Sequence, residues 1–140
     1  MMVKFAFEKD YSPIFGEIRR PIARVFFYRK KLGDWRGVWM VVDSGADYTL
    51  LPGFMAHELG IDIEKECQSH YSTGIGGTDK VYLLPKAKVK LGETEKIIPV
   101  GFLDRNEIPP LMGRQLFMET FETYFSSRHI TYFTDQPFRK

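Results

Sequence analysis

Short apolar runs separated by turn residues constrain the fold of this 140-residue chain more than any other feature. The runs are rich in β-branched and aromatic residues and are bounded by Gly, Pro and Asp, a pattern typical of strands joined by turns. Residues 22–28 and 35–42, for example, predict a hairpin. Apolar spacing and breaker residues predict short helices within 52–60 and 115–121. We therefore expect a mainly β fold with small helical pieces.

One acidic residue, Asp43, stands at the end of an apolar strand. Residues 40–52 read Met-Val-Val-Asp-Ser-Gly-Ala-Asp-Tyr-Thr-Leu-Leu-Pro, so the sequence is apolar before and after the acid. An Asp at a strand end also forms Asx-type turns, and Asp-Ser-Gly alone is compatible with that structural role. The apolar strand that precedes it favours a second interpretation, in which a sheet presents Asp43 as a reactive carboxylate.

Two further segments accompany the acidic turn. Gly74-Ile75-Gly76-Gly77 lies between two extended arms and predicts a hairpin with a glycine tip. It lacks the spacing of a dinucleotide-binding loop and the Lys-Ser/Thr of a phosphate-binding loop, so a phosphate site is not indicated. Pro110-Leu111-Met112-Gly113-Arg114 leads into an amphipathic segment.

Taken in this order, the three segments resemble those of the retropepsins, the retroviral-type aspartic proteases and their cellular and prokaryotic relatives. The resemblance covers roughly residues 35–135 and is nearest to short, single-domain prokaryotic members. It implies a closed β-barrel with a flap hairpin and one or two short helices. It also implies an aspartic endopeptidase that is active as a homodimer and acts on a peptide or protein substrate.

The resemblance assigns a role to each matching position. Asp43 would be the catalytic residue, and the Ser44 hydroxyl would hydrogen-bond across the dimer. Asp47 would contact the substrate backbone and pair with Arg114. The remaining roles fall into three groups: the active-site turn (Ser44, Gly45 and Ala46), the substrate-covering flap tip (Gly74, Ile75, Gly76 and Gly77) and structural support of the turn (Thr49, Gly113 and Arg114).

A single Asp43 could not perform this chemistry. Without a metal or a nucleophilic side chain, peptide hydrolysis needs an activated water and a stabilised carbonyl oxygen. Two carboxyl groups that share one proton do both: the ionised one accepts a proton from water, and the protonated one donates toward the carbonyl oxygen. The chain contains one Asp-Ser/Thr-Gly, so the second acid would come from another copy across a two-fold axis. Two other hypotheses stay open: a retropepsin-like dimerisation or peptide-binding module with weak or no catalysis, and an unrelated small β-barrel.

Charge and composition argue against several classes of partner. The chain has 20 basic and 18 acidic residues spread along its length, which predicts no nucleic-acid binding. The longest basic run, Arg29-Lys30-Lys31, is expected to solvate a hairpin tip. No stretch is apolar enough for a signal peptide or a membrane span, so we expect no membrane association and a cytoplasmic location.

No metal or other cofactor is expected. Cys67 is the single cysteine, which excludes an intrachain disulfide and a cage of several thiolates. His57-Glu58 lacks the second histidine that a zinc-binding helix needs.

The length of the chain fits one domain with its own core. We expect residues 1–140 to form a single retropepsin-like domain, with residues 1–20 as an N-terminal extension and a core of about residues 21–135.

Overall fold

The structure is a computed structural model that describes residues 1–74 and 77–137. These residues form twelve strands and two short α-helices. The strands are β1 (Met2–Ala6), β2 (Glu8–Ser12), β3 (Gly16–Arg20), β4 (Ile22–Arg29), β5 (Asp34–Val42), β6 (Thr49–Pro52), β7 (Gln68–Gly74), β8 (Gly77–Leu91), β9 (Thr94–Leu103), β10 (Leu111–Met112), β11 (Glu122–Phe125) and β12 (Ile130–Thr134); the helices are α1 (Met55–Glu58) and α2 (Ile63–Glu66).

Six of the strands close into a ring. Their order is β4-β5-β10-β6-β9-β8, and β8 returns to β4 through Phe26 opposite Lys90 and Phe27 opposite Val89. The strand β7 pairs with β8 as an outer hairpin arm. The prediction of a mainly β, closed barrel with short helices is therefore confirmed.

Alternate residues of the barrel strands point inward, as the two-residue period of a strand requires. In β4 the buried positions are Ala23, Val25 and Phe27, and in β5 they are Val38, Met40 and Val42. The core is completed by the buried residues of the long β8–β9 hairpin, which include Val89, Leu91, Ile98, Val100 and Phe102.

A second sheet packs against the barrel and joins the two ends of the chain. Its order is β1-β12-β11, and β11 and β12 form a hairpin near the C-terminus. Phe133 of β12 is fully buried, with its ring 6.3 Å from that of Phe5 and 6.2 Å from that of Phe121. Part of the segment predicted as an extension, residues 1–20, therefore contributes to the packed structure, while β2 and β3 form a separate hairpin.

Both predicted helices are shorter than the sequence pattern indicated. Pro52 ends β6, opposite Leu103, and α1 begins three residues later. Residues 115–121 form turns with a single 3-10 turn at Met118–Thr120. A continuous helix there is incompatible with the positive φ of 57° at Leu116.

The helix α2 was not predicted from the polar stretch that contains it. Its first turn is capped by Asp62, whose side chain accepts hydrogen bonds from the backbone N–H groups of Glu64 and Lys65.

The short strand β10 lies between two strands that are distant in sequence. Leu111 pairs in parallel with Val41 of β5 and antiparallel with Leu50 of β6. The next residue, Gly113, is buried, and a Cβ atom there would overlap the carbonyl group of Tyr48 and lie 2.7 Å from the nitrogen of Thr49. Glycine is therefore required for this close contact between backbones.

Replacement of Gly113 by alanine should destabilise the fold by about 3 kcal/mol or more, because the added methyl group meets backbone rather than a movable side chain. Urea denaturation followed by circular dichroism measures this loss. Gly33→Ala is the matched control: Gly33 has a φ of 67° but nothing within 4 Å of an added Cβ, so only backbone strain of about 1–2 kcal/mol is expected. Equal losses for the two variants would contradict the packing argument.

Truncation of Phe133 to alanine should cost about 3–5 kcal/mol of unfolding free energy, because a fully buried ring is lost between the second sheet and the barrel. Phe15→Ala removes a ring that is 79% exposed and should change stability by less than about 0.5 kcal/mol. Denaturant titration of both variants tests whether the second sheet is part of the cooperative fold. A small effect of Phe133→Ala would show that it is not.

Candidate active site

Asp43 follows directly after the last residue of β5. Its backbone N–H donates to the carbonyl of Met112 over 3.0 Å, and that of Val41 donates to the carbonyl of Pro110 over 2.9 Å. The end of β5 is therefore held by the segment around β10. This contact fixes the position of a half-buried Asp43 at the end of the strand.

The residues after Asp43 form a tight turn. The Asp43 Oδ1 atom accepts a hydrogen bond of 2.9 Å from the Gly45 N–H, and the Asp43 carbonyl accepts one of 3.1 Å from the Ala46 N–H. Ser44 and Gly45 are exposed. Within the described part of the chain, Asp43 Oδ2 has no hydrogen-bond partner. The turn therefore orients the carboxylate through one oxygen and leaves the other available.

A second layer of hydrogen bonds ties the turn to the chain after β10. The fully buried Thr49 accepts a bond of 3.2 Å from the Gly113 N–H on its Oγ1. The backbone N–H of Arg114 donates to the carbonyl of Ala46 over 3.0 Å, and that of Gln115 donates to the carbonyl of Asp47 over 2.8 Å. The three residues predicted to support the turn, Thr49, Gly113 and Arg114, thus take part in these contacts, and their supporting role stays a prediction.

Asp47 and Arg114 form an ion pair with 2.5 Å between Asp47 Oδ1 and Arg114 Nη2. The contact is a single hydrogen bond and not a bidentate pair. The side chains of Asp47 and Arg114 are 82% and 47% exposed, so the pair stabilises this chain by no more than about 1 kcal/mol. Its exposure leaves Asp47 accessible to other molecules.

The sequence pattern assigned no role to Tyr48, which contacts two glycines near the acidic turn. Its carbonyl packs on Gly113, and its ring lies against Gly101, where an added Cβ would be 2.7 Å from Cε2. Burial raises the pKa of the Tyr48 hydroxyl, and the charge of Asp47 raises it further. Gly101 lies within β9, between Val100 and Phe102. A glycine inside a strand often marks a close contact, so Gly101 is the sequence signal that could have indicated this one.

The hairpin of β7 and β8 contains the predicted flap tip. Thr73 pairs with Thr78 and Gly74 with Gly77, and the two threonine hydroxyl oxygens lie 3.3 Å apart. The arm β7 is exposed, with Tyr71 at 74%. Ile75 and Gly76 lie outside the described residues, so the substrate-covering role of residues 74–77 stays a prediction.

Residues 1–74 and 77–137 contain no group of three His, Cys, Asp or Glu side chains placed to hold a metal ion. The same residues contain no helix with the length and apolar character needed to cross a membrane.

Comparisons with known proteins agree with this architecture. A family described as aspartyl protease matches residues 31–116, a range that includes the acidic turn and extends through Arg114. A search of curated proteins found no match. The fold is similar to that in the crystal structure of a retropepsin-like aspartic protease from Rickettsia conorii, with a TM-score of 0.68 and 16% sequence identity. The alignment covers 94% of this chain and 98% of the Rickettsia chain.

The family match spans more than half of the chain. In the closed barrel, the Asp-Ser-Gly turn follows β5 and is hydrogen-bonded to β10 and to Arg114. The chain therefore belongs to the aspartyl protease family and has a retropepsin-like fold.

Proposed function

We propose that this protein is an aspartic endopeptidase that is active as a homodimer, with one Asp43 from each subunit in a water-activating dyad. The observation that carries the proposal is the Asp43 turn itself. The Gly45 N–H holds one carboxylate oxygen, while the other has no partner within residues 1–74 and 77–137. A carboxylate that is oriented and yet available is suited to proton transfer.

The proposed reaction uses the two carboxyl groups in different protonation states. Two like charges at close range cannot both ionise readily, so the pair shares one proton. The ionised Asp43 accepts a proton from water as the water oxygen attacks the peptide carbonyl carbon. The protonated Asp43 donates its proton to the carbonyl oxygen. Collapse of the tetrahedral intermediate then breaks the C–N bond, and the amine nitrogen leaves with a proton returned by the dyad.

A partner subunit is the source of the second acid in this proposal. Asp47, the acidic residue nearest to Asp43 in sequence, is engaged by Arg114. Ser44 and Gly45 are exposed on the turn, so a second copy could approach them. A two-fold axis next to the turn would bring the two Asp43 side chains together, and the Ser44 hydroxyls would hydrogen-bond across it.

The remaining predicted residues fit substrate binding and support in the same scheme. The exposed Asp47 would accept hydrogen bonds from substrate N–H groups while Arg114 holds its carboxylate in place. The glycine-tipped end of the β7–β8 hairpin, residues 74–77, would cover a bound peptide, since glycines adopt backbone angles that a moving tip requires. Thr49 and Gly113 would keep the turn in register with β10.

Replacement of Asp43 by asparagine should reduce peptide cleavage by at least about 1,000-fold, because the amide keeps the size of the side chain but cannot exchange a proton. Cleavage of a diverse peptide mixture, read by mass spectrometry from acidic to neutral pH, measures the loss. Asp104→Asn is the matched control, since Asp104 is exposed in the loop after β9 and has no predicted role.

Activity that survives in Asp43→Asn would remove Asp43 from the mechanism. Absence of cleavage by the wild-type protein, with a stable dimer that still binds peptides, would favour the binding-module hypothesis instead.

Mixing wild-type protein with Asp43→Asn tests the shared dyad directly. If each active site needs two Asp43 residues, a mixed dimer is inactive. After unfolding and joint refolding at equal amounts, half of the wild-type chains pair with the variant, so activity per wild-type chain should fall to about one half. A larger excess of the variant should lower it in proportion to the wild-type fraction.

Joint refolding with equal amounts of Asp104→Asn provides the control and should leave activity per total chain unchanged, because this variant is expected to be active. Analytical ultracentrifugation of each mixture verifies that dimers have formed. Unchanged activity per wild-type chain after joint refolding with excess Asp43→Asn would show that a single chain contains a complete site.

A further inference from the structure

A second concave site lies in the wall of the barrel, apart from the acidic turn. It is a cavity of about 410 Å³ between the end of β4, the middle of β8, β9 and the chain that links α1 to α2. Its apolar lining includes Phe27, Leu59, Ile61, Leu84 and Phe102. Cavities of this size that combine an apolar interior with a few polar groups are typical of small-molecule sites.

The strand pairing is irregular beside the cavity. The strands β4 and β8 pair at Phe26 and Phe27. The ladder between β8 and β9 is interrupted by an irregularity between Leu84 and Ala87, a stretch that contains Pro85. Proline has no N–H to donate to a ladder, and both Leu84 and Ala87 line the cavity.

The cavity and the proposed catalytic turn use different residues. In the β4–β5 hairpin, Arg29 pairs with Asp34 at one end and Ile22 pairs with Val41 at the other. The cavity includes Tyr28 and Lys30 at the first end, whereas Asp43 follows the second. Neither Asp43 nor any other residue of the turn lines the cavity.

The rim of the cavity is strongly basic. Its charged residues are five lysines and two acids: Lys30, Lys31, Lys65, Lys86, Lys88, Asp62 and Glu66. Both acids already accept backbone hydrogen bonds, Asp62 as the cap of α2 and Glu66 from the Asp62 N–H over 2.7 Å. Lys88 forms an ion pair with Glu95, with 3.6 Å between Lys88 Nζ and Glu95 Oε2. For the other four lysines, no carboxylate of residues 1–74 or 77–137 lies within ion-pair distance.

We propose that this cavity binds a small amphipathic anion, an unbranched alkyl chain with a single carboxylate headgroup. The apolar interior would take the chain, where burial out of water stabilises each CH₂ group. The lysine rim would hold the carboxylate and offset the excess of positive charge. A cavity of about 410 Å³ suits a small molecule better than a folded partner.

Isothermal titration calorimetry with decanoate, below the concentration at which it forms micelles, tests the proposal. Decyltrimethylammonium has the same tail with the opposite charge, and acetate has the headgroup alone. Decanoate should bind at least about tenfold more tightly than the cation, because the headgroup lies among lysines. Acetate should show no measurable binding, since it lacks the buried chain. Amide and methyl NMR shifts should change at Ile61, Leu84 and Ala87.

Two variants separate charge from shape. Lys65→Gln combined with Lys86→Gln removes two exposed rim charges and should weaken decanoate binding by about 4- to 25-fold. The matched control, Lys4→Gln combined with Lys9→Gln, changes two exposed lysines outside the cavity and should leave binding unchanged. Ala87→Phe places a ring in the cavity and should abolish binding, with circular dichroism confirming the fold.

Several results would overturn the proposal: no binding of decanoate, equal binding of decanoate and the cation, or changes in NMR chemical shift confined to other surfaces.

The test does not depend on proteolysis. Because the cavity and Asp43 lie at opposite ends of the hairpin, Asp43→Asn should bind decanoate as the wild type does. A wild-type protein that binds decanoate but cleaves no peptide would therefore contradict the proposed function and leave this inference standing.

Discussion

The insertion of β10 between β5 and β6 is the contact on which the rest of the structure depends. This two-residue strand closes the barrel wall at the point where β5 ends. The carbonyl of Pro110, just before it, accepts from Val41, and the carbonyl of Met112, within it, accepts from Asp43. Gly113 makes the insertion possible because its missing side chain lets the backbone touch that of Tyr48.

In the proposed function, that closure produces one half of a symmetric site rather than a whole one. The turn holds Asp43 through the Gly45 N–H and exposes Ser44, while Arg114 holds Asp47 near by. These contacts pre-organise a single carboxylate, and the chemistry of a shared proton needs two. In the proposed function the second subunit is therefore part of the catalytic machinery, and the concentration of dimer would control activity.

Local patterns predicted the strands well because side-chain alternation and turn residues are properties of short segments. The hairpins at 22–42 and 122–134 follow from such patterns. The prediction of a helix over residues 115–121 was wrong in length, because apolar residues there make tertiary contacts. Phe117 and Phe121 are buried, and Leu116 adopts a positive φ. Within the candidate site, the acidic turn and its supports were predicted from the resemblance, whereas Tyr48 was not, since its role arises from Gly101 across the sheet.

The sequence by itself determined the strand-forming segments, the single Asp-Ser-Gly turn and the two glycine-containing segments that accompany it. Only the tertiary structure decided what those segments contact. It paired β1 with β12, although the two strands lie at opposite ends of the chain, and it gathered lysines from three separate segments around one apolar cavity. The sequence shows Lys30-Lys31 as an ordinary solvated turn. Long-range pairing is the physical reason for the difference, because register between distant strands is set by burial across the whole barrel rather than by local spacing.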